Sequence, residues 1–178
     1  MILLHVCCAD CLLKFALSLD SGPIDLFYYN PNIHPRSEYL ARLKAVKRVI
    51  AERGLQFKLI VPSYQPTHYF ESIKQLKQPA KEKQERCPSC WQLRLGRTFR
   101  YAQENDYQAV STTLLSSHYQ GRELIKDLGL RMGKQAGIEF ILPSKVCFDL
   151  STKGFYKQNY CGCVYSLKSR LEEKYLKG

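Results

Sequence analysis

The sequence predicts an α/β domain built on a doubly wound, parallel, five-stranded sheet. Five short apolar or β-branched stretches recur along the chain, and segments with helical periodicity lie between them. Strands that alternate with helices of this length form βαβ units, in which helices cover both faces of a parallel sheet. The predicted strands are residues 2–6, 25–29, 57–61, 109–114 and 138–142.

Helices are predicted between these strands, at residues 11–19, 37–53, 90–103 and 122–134. Pro35 and Ser37 begin the second helix and Gly54 follows its last turn, as helix start and stop signals do. Two further segments depart from the alternation. Residues 62–88 form a polar, basic insertion with a short helix at 69–76, and residues 143–178 form a cysteine-bearing C-terminal segment with a helix pair between 154 and 175. We expect all 178 residues to form one domain.

The composition is that of a globular protein, with 45% hydrophobic and 24% charged residues. No apolar run approaches the roughly 18 residues that a membrane span needs. The first six residues are too short, and lack the basic start, for a signal peptide. We therefore expect a cytoplasmic protein without a membrane partner, and exclude a disulfide-stapled miniprotein.

The chain is strongly basic, with 27 Lys and Arg against 16 Asp and Glu and a formal charge of +11. This surplus favours a polyanion such as nucleic acid as partner, because each cation that neutralises a phosphate releases counterions. A basic surface that only maintains solubility is the alternative. The basic residues concentrate in two regions. They are Arg36, Arg42, Lys44, Lys47, Arg48 and Arg53 around the second helix, and Lys74, Lys77, Lys81, Lys83 and Arg86 in the insertion.

Seven of the eight cysteines fall in three groups, which are Cys7, Cys8 and Cys11; Cys87 and Cys90; and Cys161 and Cys163. In a reducing compartment, clustered thiols indicate metal or redox chemistry more often than disulfides. A structural zinc and a [4Fe–4S] cluster each use four thiols, so about three remain over. The surplus favours redox chemistry, while a structural zinc and a set of inert buried thiols stay as alternatives. Cys147, between apolar neighbours, is predicted to be a core residue.

The groups of chemical interest follow the predicted strands. In open parallel sheets, ligands bind at the carboxyl ends of the strands. Cysteines follow the first strand, Tyr29 and Asn30 the second, and His118 and Tyr119 the fourth, so we expect them to meet at one edge. The first turn carries thiols where a glycine-rich phosphate loop would lie, which disfavours a nucleotide as obligatory cofactor.

Five motifs in this order resemble a known family. They are His5-Val6-Cys7-Cys8-Ala9-x-Cys11, Tyr29-Asn30-Pro31-Asn32-Ile33, Glu85-Arg86-Cys87-x-x-Cys90-x-x-x-Arg94-Leu95, Thr112-Thr113-Leu114-Leu115 and Gln158-Asn159-Tyr160-Cys161-Gly162-Cys163-x-Tyr165-Ser166. Together, over nearly the whole chain, they resemble the cobalamin-independent epoxyqueuosine reductases of the QueH type. The resemblance implies reduction of epoxyqueuosine to queuosine at the wobble position of tRNA. It also implies a fold of the adenine-nucleotide α-hydrolase type and a [4Fe–4S] cluster beside a mononuclear iron.

The resemblance implies that the seven grouped cysteines surround these two metal groups. We assign Cys8, Cys87, Cys90 and Cys163 to the cluster, and the remaining thiols, Cys7, Cys11 and Cys161, to the single iron, for which zinc is an alternative. The iron would polarise the epoxide C–O bond as a Lewis acid, and the cluster would relay electrons from an external donor. Candidate proton donors are Tyr119, His118 and Asp10.

The implied substrate is a tRNA whose anticodon stem-loop carries epoxyqueuosine. The residues expected to contact it are Tyr29, Asn30, Asn32, Lys77, Lys81, Lys83 and Arg86. We interpret His5 as a core histidine and His68 as a solvated one. A related enzyme that activates tRNA with ATP is disfavoured, because its phosphate loop is absent from the first turn. A zinc-containing nucleic-acid-binding module without redox chemistry remains the alternative function.

Overall fold

The sheet has five parallel strands, as the sequence predicts. The computed structural model describes residues 1–16, 22–76, 85–117, 120–143 and 154–176. The strands, each shorter than predicted, are β1 (Ile2–His5), β2 (Ile24–Phe27), β3 (Lys58–Ile60), β4 (Ala109–Thr112) and β5 (Glu139–Phe140). They pair in the order β3-β2-β1-β4-β5, and every neighbouring pair is parallel.

Helices lie between the strands close to the positions that the periodicity predicts, and a further helix follows the last strand. They are α1 (Ala9–Ala16), α2 (Arg36–Glu52), α3 (Thr67–Lys74), α4 (Cys87–Glu104), α5 (Arg122–Ala136) and α6 (Val164–Tyr175), with a 3₁₀ turn at Thr113–Ser116. Helix α4 begins three residues earlier than predicted, at Cys87, and the proline that follows suits its first turn. As a result, both cysteines of the middle group lie in the first turn of one helix.

The predicted C-terminal helix pair is wrong. Among residues 154–176, only α6 is helical, and residues 154–163 form turns and bends. Gly154 and Gly162 adopt φ values of +88° and +110°, which are incompatible with a right-handed helix. The end of the predicted first helix, residues 17–19, and Cys147 lie outside the described residues.

The core surrounds β1, whose four residues are all buried. A central strand of a parallel sheet is covered on both faces, so its sequence is a continuous apolar run and does not alternate. Right-handed crossovers place α1 and α2 on one face of such a sheet and α4 and α5 on the other. In agreement with this placement, α1 contacts α2, and α4 contacts α5.

The strand order reverses between β1 and β4, which are neighbours in the sheet but distant in the sequence. Loops that leave the carboxyl ends of two such strands diverge and leave a crevice between them, where α/β proteins bind ligands. The cysteines after β1 and the 3₁₀ turn after β4 lie at this point. None of the helices in the described ranges is both long and apolar enough to cross a membrane.

Candidate metal centre

Cys7, Cys8 and Cys11 form a compact group of three thiols at the end of β1. Their sulfur atoms all lie within 4.8 Å of one another, and all three residues are buried. The chain leaves the strand after His5 and enters α1 at Ala9, so neighbouring side chains no longer alternate between faces. The Cys11 N–H donates to Cys8 Sγ (3.4 Å), and the sulfurs of Cys7 and Cys8 are 3.8 Å apart. Three converging thiols can occupy one face of a metal ion.

Thr113, in the 3₁₀ turn after β4, supports this group from across the crevice. Its Oγ1 accepts a hydrogen bond from the Cys7 N–H (3.2 Å) and lies 3.5 Å from Cys7 Sγ. Hydrogen bonds from Cys11 and Cys8, together with the charge of Arg94, hold the pKa of Cys7 well below its usual value despite burial. Hydrogen bonds with Cys7 and Cys8, together with burial, raise the pKa of Cys11. A lowered pKa favours the thiolate of Cys7, which is the form that binds metals.

The other four grouped cysteines line one narrow pocket. Cys87 and Cys90 are one turn apart on α4, so they lie on one side of that helix. Cys161 and Cys163 come from the C-terminal segment, with their sulfurs 3.6 Å apart. Cys163 Sγ accepts from the Ser166 N–H (3.3 Å) and so caps α6. All four line the pocket, and Cys90 and Cys163 are buried in one small apolar cluster. Burial raises the pKa of Cys90 to about 11.

Arg94 connects the two groups of thiols. It lies on α4 one turn beyond Cys90, lines the pocket, and is 2% exposed. Its Nη2 donates to Asn30 Oδ1 (2.7 Å), and Asn30 Nδ2 donates to the carbonyl of Val6 (2.9 Å), next to Cys7. The charge of Arg94 acts to lower the pKa of both Cys7 and Cys90. A buried cation here offsets negative charge on thiolates of both groups.

Arg42, on α2, fixes the cysteines of the C-terminal segment. The sequence groups it with surface basic residues, but the structure buries it at 2% exposure. Its guanidinium donates to the carbonyls of Cys161 (3.1 Å) and Tyr160 (3.3 Å) and to Glu38 Oε1 (2.6 Å). The spacing of Glu38 and Arg42, four residues apart on a helix, is the only sequence signal for this arrangement.

The predicted substrate-binding residues divide between the pocket and the surrounding scaffold. Asn32 and Arg86 line the pocket. Asn32 Oδ1 is buried without a hydrogen-bond partner among the described residues, and the Arg86 guanidinium lies 4.4 Å from the Tyr165 ring centre. Asn30 uses both ends of its side chain in the contacts to Arg94 and Val6.

Asp10 is the one predicted proton donor that the structure describes. Its Oδ2 forms an ion pair with Lys14 Nζ (2.7 Å), whereas its Oδ1 is buried and has no hydrogen-bond partner within the described ranges. His118 and Tyr119 lie outside the described residues, as do the insertion residues Lys77, Lys81 and Lys83.

Two histidine interpretations have different outcomes. His5 is a core histidine as predicted, with Nδ1 2.9 Å from Thr112 Oγ1 and Nε2 donating to the Tyr29 carbonyl (3.2 Å). Burial lowers its pKa to about 3. The interpretation of His68 as a solvated residue holds in part, because the residue lines an open groove but is half-buried, and its Nδ1 lies 2.9 Å from the Tyr29 hydroxyl.

The fold and the site together define an α/β protein with seven grouped cysteines at the carboxyl edge of a parallel sheet. The family model for "Epoxyqueuosine reductase QueH" matches residues 2–169. Similar proteins include the epoxyqueuosine reductases QueH of Dehalococcoides mccartyi (33% identical, covering 93% of this chain and 91% of that protein) and Thermotoga maritima (33%, covering 97% and 93%). The Acinetobacter baylyi enzyme is 34% identical, with 94% and 80% covered. The chain belongs to the epoxyqueuosine reductase QueH family, which confirms the resemblance that its motifs predict.

Proposed function

We propose that the seven grouped cysteines hold a [4Fe–4S] cluster and an adjacent mononuclear iron in a protein that reduces epoxyqueuosine to queuosine at the wobble position of tRNA. The observation that carries the metal assignment is the buried trio of Cys7, Cys8 and Cys11, connected through Arg94 to a pocket with four further thiols. Closely spaced thiolates are the ligands of iron–sulfur clusters and are accepted by single iron and zinc ions. The donor set therefore fits both groups.

The seven thiols would divide between the cluster and the single iron as the family resemblance implies. Cys87, Cys90 and Cys163 would bind the cluster, and the packing of Cys90 with Cys163, in the pocket that these three share with Cys161, supports this part of the assignment. Cys8 would supply the fourth ligand from the neighbouring trio. The remaining thiols, Cys7, Cys11 and Cys161, would face the single iron.

Converting an epoxide to an alkene breaks both C–O bonds, consumes two electrons and two protons, and releases water. When bound, the metals supply those electrons, delivered by an external donor, and a Lewis acid for the oxygen. The chain itself buries five of the seven thiols, and Arg94 offsets their charge in the low-dielectric interior. Asn32 and Arg86 line the pocket, where they can orient polar groups of the substrate.

The protons would come from Asp10, Tyr119 or His118. Asp10 follows Cys8 by two residues, and its Oδ1 lacks a hydrogen-bond partner within the described ranges, so this oxygen is available to pass a proton. Single-turnover reduction by Asp10→Asn, Tyr119→Phe and His118→Ala proteins, each reduced beforehand, tests the three candidates. At least one variant should slow strongly, and full activity in all three would remove them from the proton path.

Three further properties belong to this proposal. The order of the five parallel strands supports a fold of the adenine-nucleotide α-hydrolase type, and one continuous sheet supports a single domain from residue 1 to 178. A cytoplasmic location agrees with the grouping of seven thiols as metal ligands, which requires a reducing compartment. The charge of +11 supports contact with the tRNA anticodon stem-loop through Lys77, Lys81 and Lys83 and, at the pocket, Arg86.

Anaerobic isolation followed by iron, zinc and acid-labile sulfide analysis tests the metal assignment. We expect a brown protein with more iron than sulfide, because the single iron adds to the iron of the cluster. A colourless protein that contains only zinc would contradict the proposal and favour a nucleic-acid-binding module without redox chemistry.

A further inference from the structure

An open groove lies beside α4, away from the cysteine pocket, and has no role in the chemistry described above. Its lining includes Tyr29, His68, Gln92, Arg97, Arg100 and Met132. Among the described residues, Arg97 forms an ion pair with Glu104 alone, at 3.4 Å and on the protein surface. Arg100 is exposed and makes no ion pair with any residue in the described ranges. An exposed ion pair is worth about 0–1 kcal/mol, so Arg97 can exchange its partner for another anion at little cost.

The groove offers three kinds of contact side by side. Two guanidinium groups suit a phosphate, which arginine binds through paired hydrogen bonds. The ring of His68 is half-buried beside Tyr29, with centroids 6.4 Å apart, and the Tyr29 hydroxyl holds it in place. A flat ring of this kind can stack on a base, and Met132 provides apolar surface for a sugar or a base. Phosphate, base and sugar contacts together match a nucleotide.

Residues of α4 line both the groove and the cysteine pocket. Arg97 and Arg100 are on the same helix as Cys90, about 10 and 15 Å further along its axis at ~1.5 Å per residue. On the other wall, Tyr29 precedes Asn30, which binds the pocket residue Arg94. A strand of RNA that places one nucleotide in the pocket can therefore lay a neighbouring nucleotide in the groove.

We propose that this groove binds a phosphodiester and the adjoining nucleoside of the single-stranded anticodon loop, next to the nucleotide that is reduced. The inference rests on the proposed function, because it takes the substrate to be tRNA. It assigns Arg97 and Arg100 to the phosphate and His68, supported by Tyr29, to the base.

Binding of a fluorescently labelled anticodon stem-loop RNA to the anaerobically isolated protein tests the phosphate contacts. The variant Arg97→Glu/Arg100→Glu is compared with Lys44→Glu/Lys47→Glu, which makes the same change of charge at exposed positions of α2, on the other face of the sheet. We expect the Arg97→Glu/Arg100→Glu variant to bind the RNA at least about tenfold more weakly than the wild type. We also expect it to lower the slope of log affinity against log salt by about 1.4, or ~0.7 for each single-strand phosphate that is no longer neutralised. The proposal would be overturned if the two double variants lost the same RNA affinity, or if Arg97→Glu/Arg100→Glu lost none.

The base contact has its own test. His68→Ala should weaken RNA binding about fivefold or more, with an unchanged salt slope, because it removes a stacking surface and no phosphate contact. Wild-type affinity in this variant would overturn the stacking role. Uridine monophosphate serves as a separate probe. If it binds the groove as tightly as the stem-loop does, the groove is a mononucleotide site and the proposed strand contact is wrong.

The failure of this inference and the failure of the proposed function are distinguishable. Reductase assays on epoxyqueuosine-containing tRNA should show a higher KM for Arg97→Glu/Arg100→Glu, with a smaller change in kcat. A wild-type protein that binds RNA as described but performs no reduction would contradict the proposed function alone. If the wild type is active and Arg97→Glu/Arg100→Glu has the same KM, the proposed role of the groove alone is contradicted.

Discussion

Gly162 separates the two cysteines of the C-terminal segment and occupies a position where a side chain does not fit. Its φ of +110° is a conformation that other residues rarely adopt. A Cβ atom there would lie 3.0 Å from Arg42 Nη1 and 3.0 Å from Ile33 Cγ1. Arg42 cannot yield easily, because Glu38 and two backbone carbonyls hold it. The placement of Cys161 and Cys163 therefore depends on this glycine.

The variant Gly162→Ala should be destabilised by about 1–3 kcal/mol, from backbone strain plus the contact with Arg42. The thiols of Cys161 and Cys163 should also react faster with a thiol reagent in the metal-free protein. Gly154→Ala is the matched control, since its φ is +88° but no atom of the described residues lies within 4 Å of the added Cβ. Urea denaturation and thiol-labelling rates measure the difference, and identical behaviour of the two variants would contradict the role of the Arg42 contact.

Arg94 is the residue through which the two thiol groups influence each other. Replacing it with Met leaves Asn30 Oδ1 without its donor, which should cost about 1–3 kcal/mol of stability in the metal-free protein. In the iron-loaded protein the removal of a nearby positive charge disfavours addition of an electron, so the reduction potential should become more negative. Arg94→Lys keeps the charge and should shift the potential less. Urea denaturation and a potentiometric titration measure both effects, and an unchanged potential in Arg94→Met would contradict the electrostatic role.

At the level of elements, α5 approaches β5 through glycines. A Cβ at Gly133 would lie 2.7 Å from the carbonyl oxygen of Ile138, a backbone atom that cannot rotate away. A Cβ at Gly129 would fall 2.2 Å from the ring of Phe140. This close contact of helix and strand positions the edge of the sheet next to β4.

Alanine substitution should therefore have opposite effects on two helical glycines. Gly133→Ala should destabilise the protein by about 1–3 kcal/mol, the range for overpacking. Gly96→Ala, in α4, meets only the terminal methyl of Met132 at 3.6 Å and should stabilise by about 0.5–1 kcal/mol through helix propensity. Thermal or urea denaturation of both variants checks the prediction. A stabilised Gly133→Ala would mean that the helix does not pack as described.

The elements themselves could be predicted because their signals are local. The apolar runs and helical periods of this chain predict all five strands and the helices between them. The prediction of two C-terminal helices failed because Gly154 and Gly162 adopt positive φ values, which local sequence does not reveal. For the site, spacing predicts the grouping of Cys7, Cys8 and Cys11. The contacts of Arg42 and Thr113 join residues more than 100 positions apart and have no counterpart in local sequence.

At the scale of the whole molecule, the net charge of +11 attracts a polyanionic substrate such as tRNA. Charge reversal at Lys77, Lys81 and Lys83 should raise KM for tRNA and flatten its salt dependence, by about 0.7–0.9 in log–log slope for each phosphate that is no longer neutralised. The double substitution Lys44→Glu/Lys47→Glu, at exposed positions of α2, controls for the effect of overall net charge on RNA binding. Steady-state kinetics at several salt concentrations measure the effect. Unchanged KM and slope would remove the insertion from the tRNA-binding surface.

The central claim is that cysteines from three distant segments form one reducing site for a tRNA base. Mass spectrometry of nucleosides, after incubating epoxyqueuosine-containing tRNA with the iron-loaded, reduced protein, tests it most directly. The account predicts that wild type converts epoxyqueuosine to queuosine with loss of one oxygen atom. It also predicts that Cys8→Ser, Cys90→Ser and Cys163→Ser, one from each segment, all lose this conversion. A wild type without conversion, or full conversion by a variant from any one segment, would contradict it.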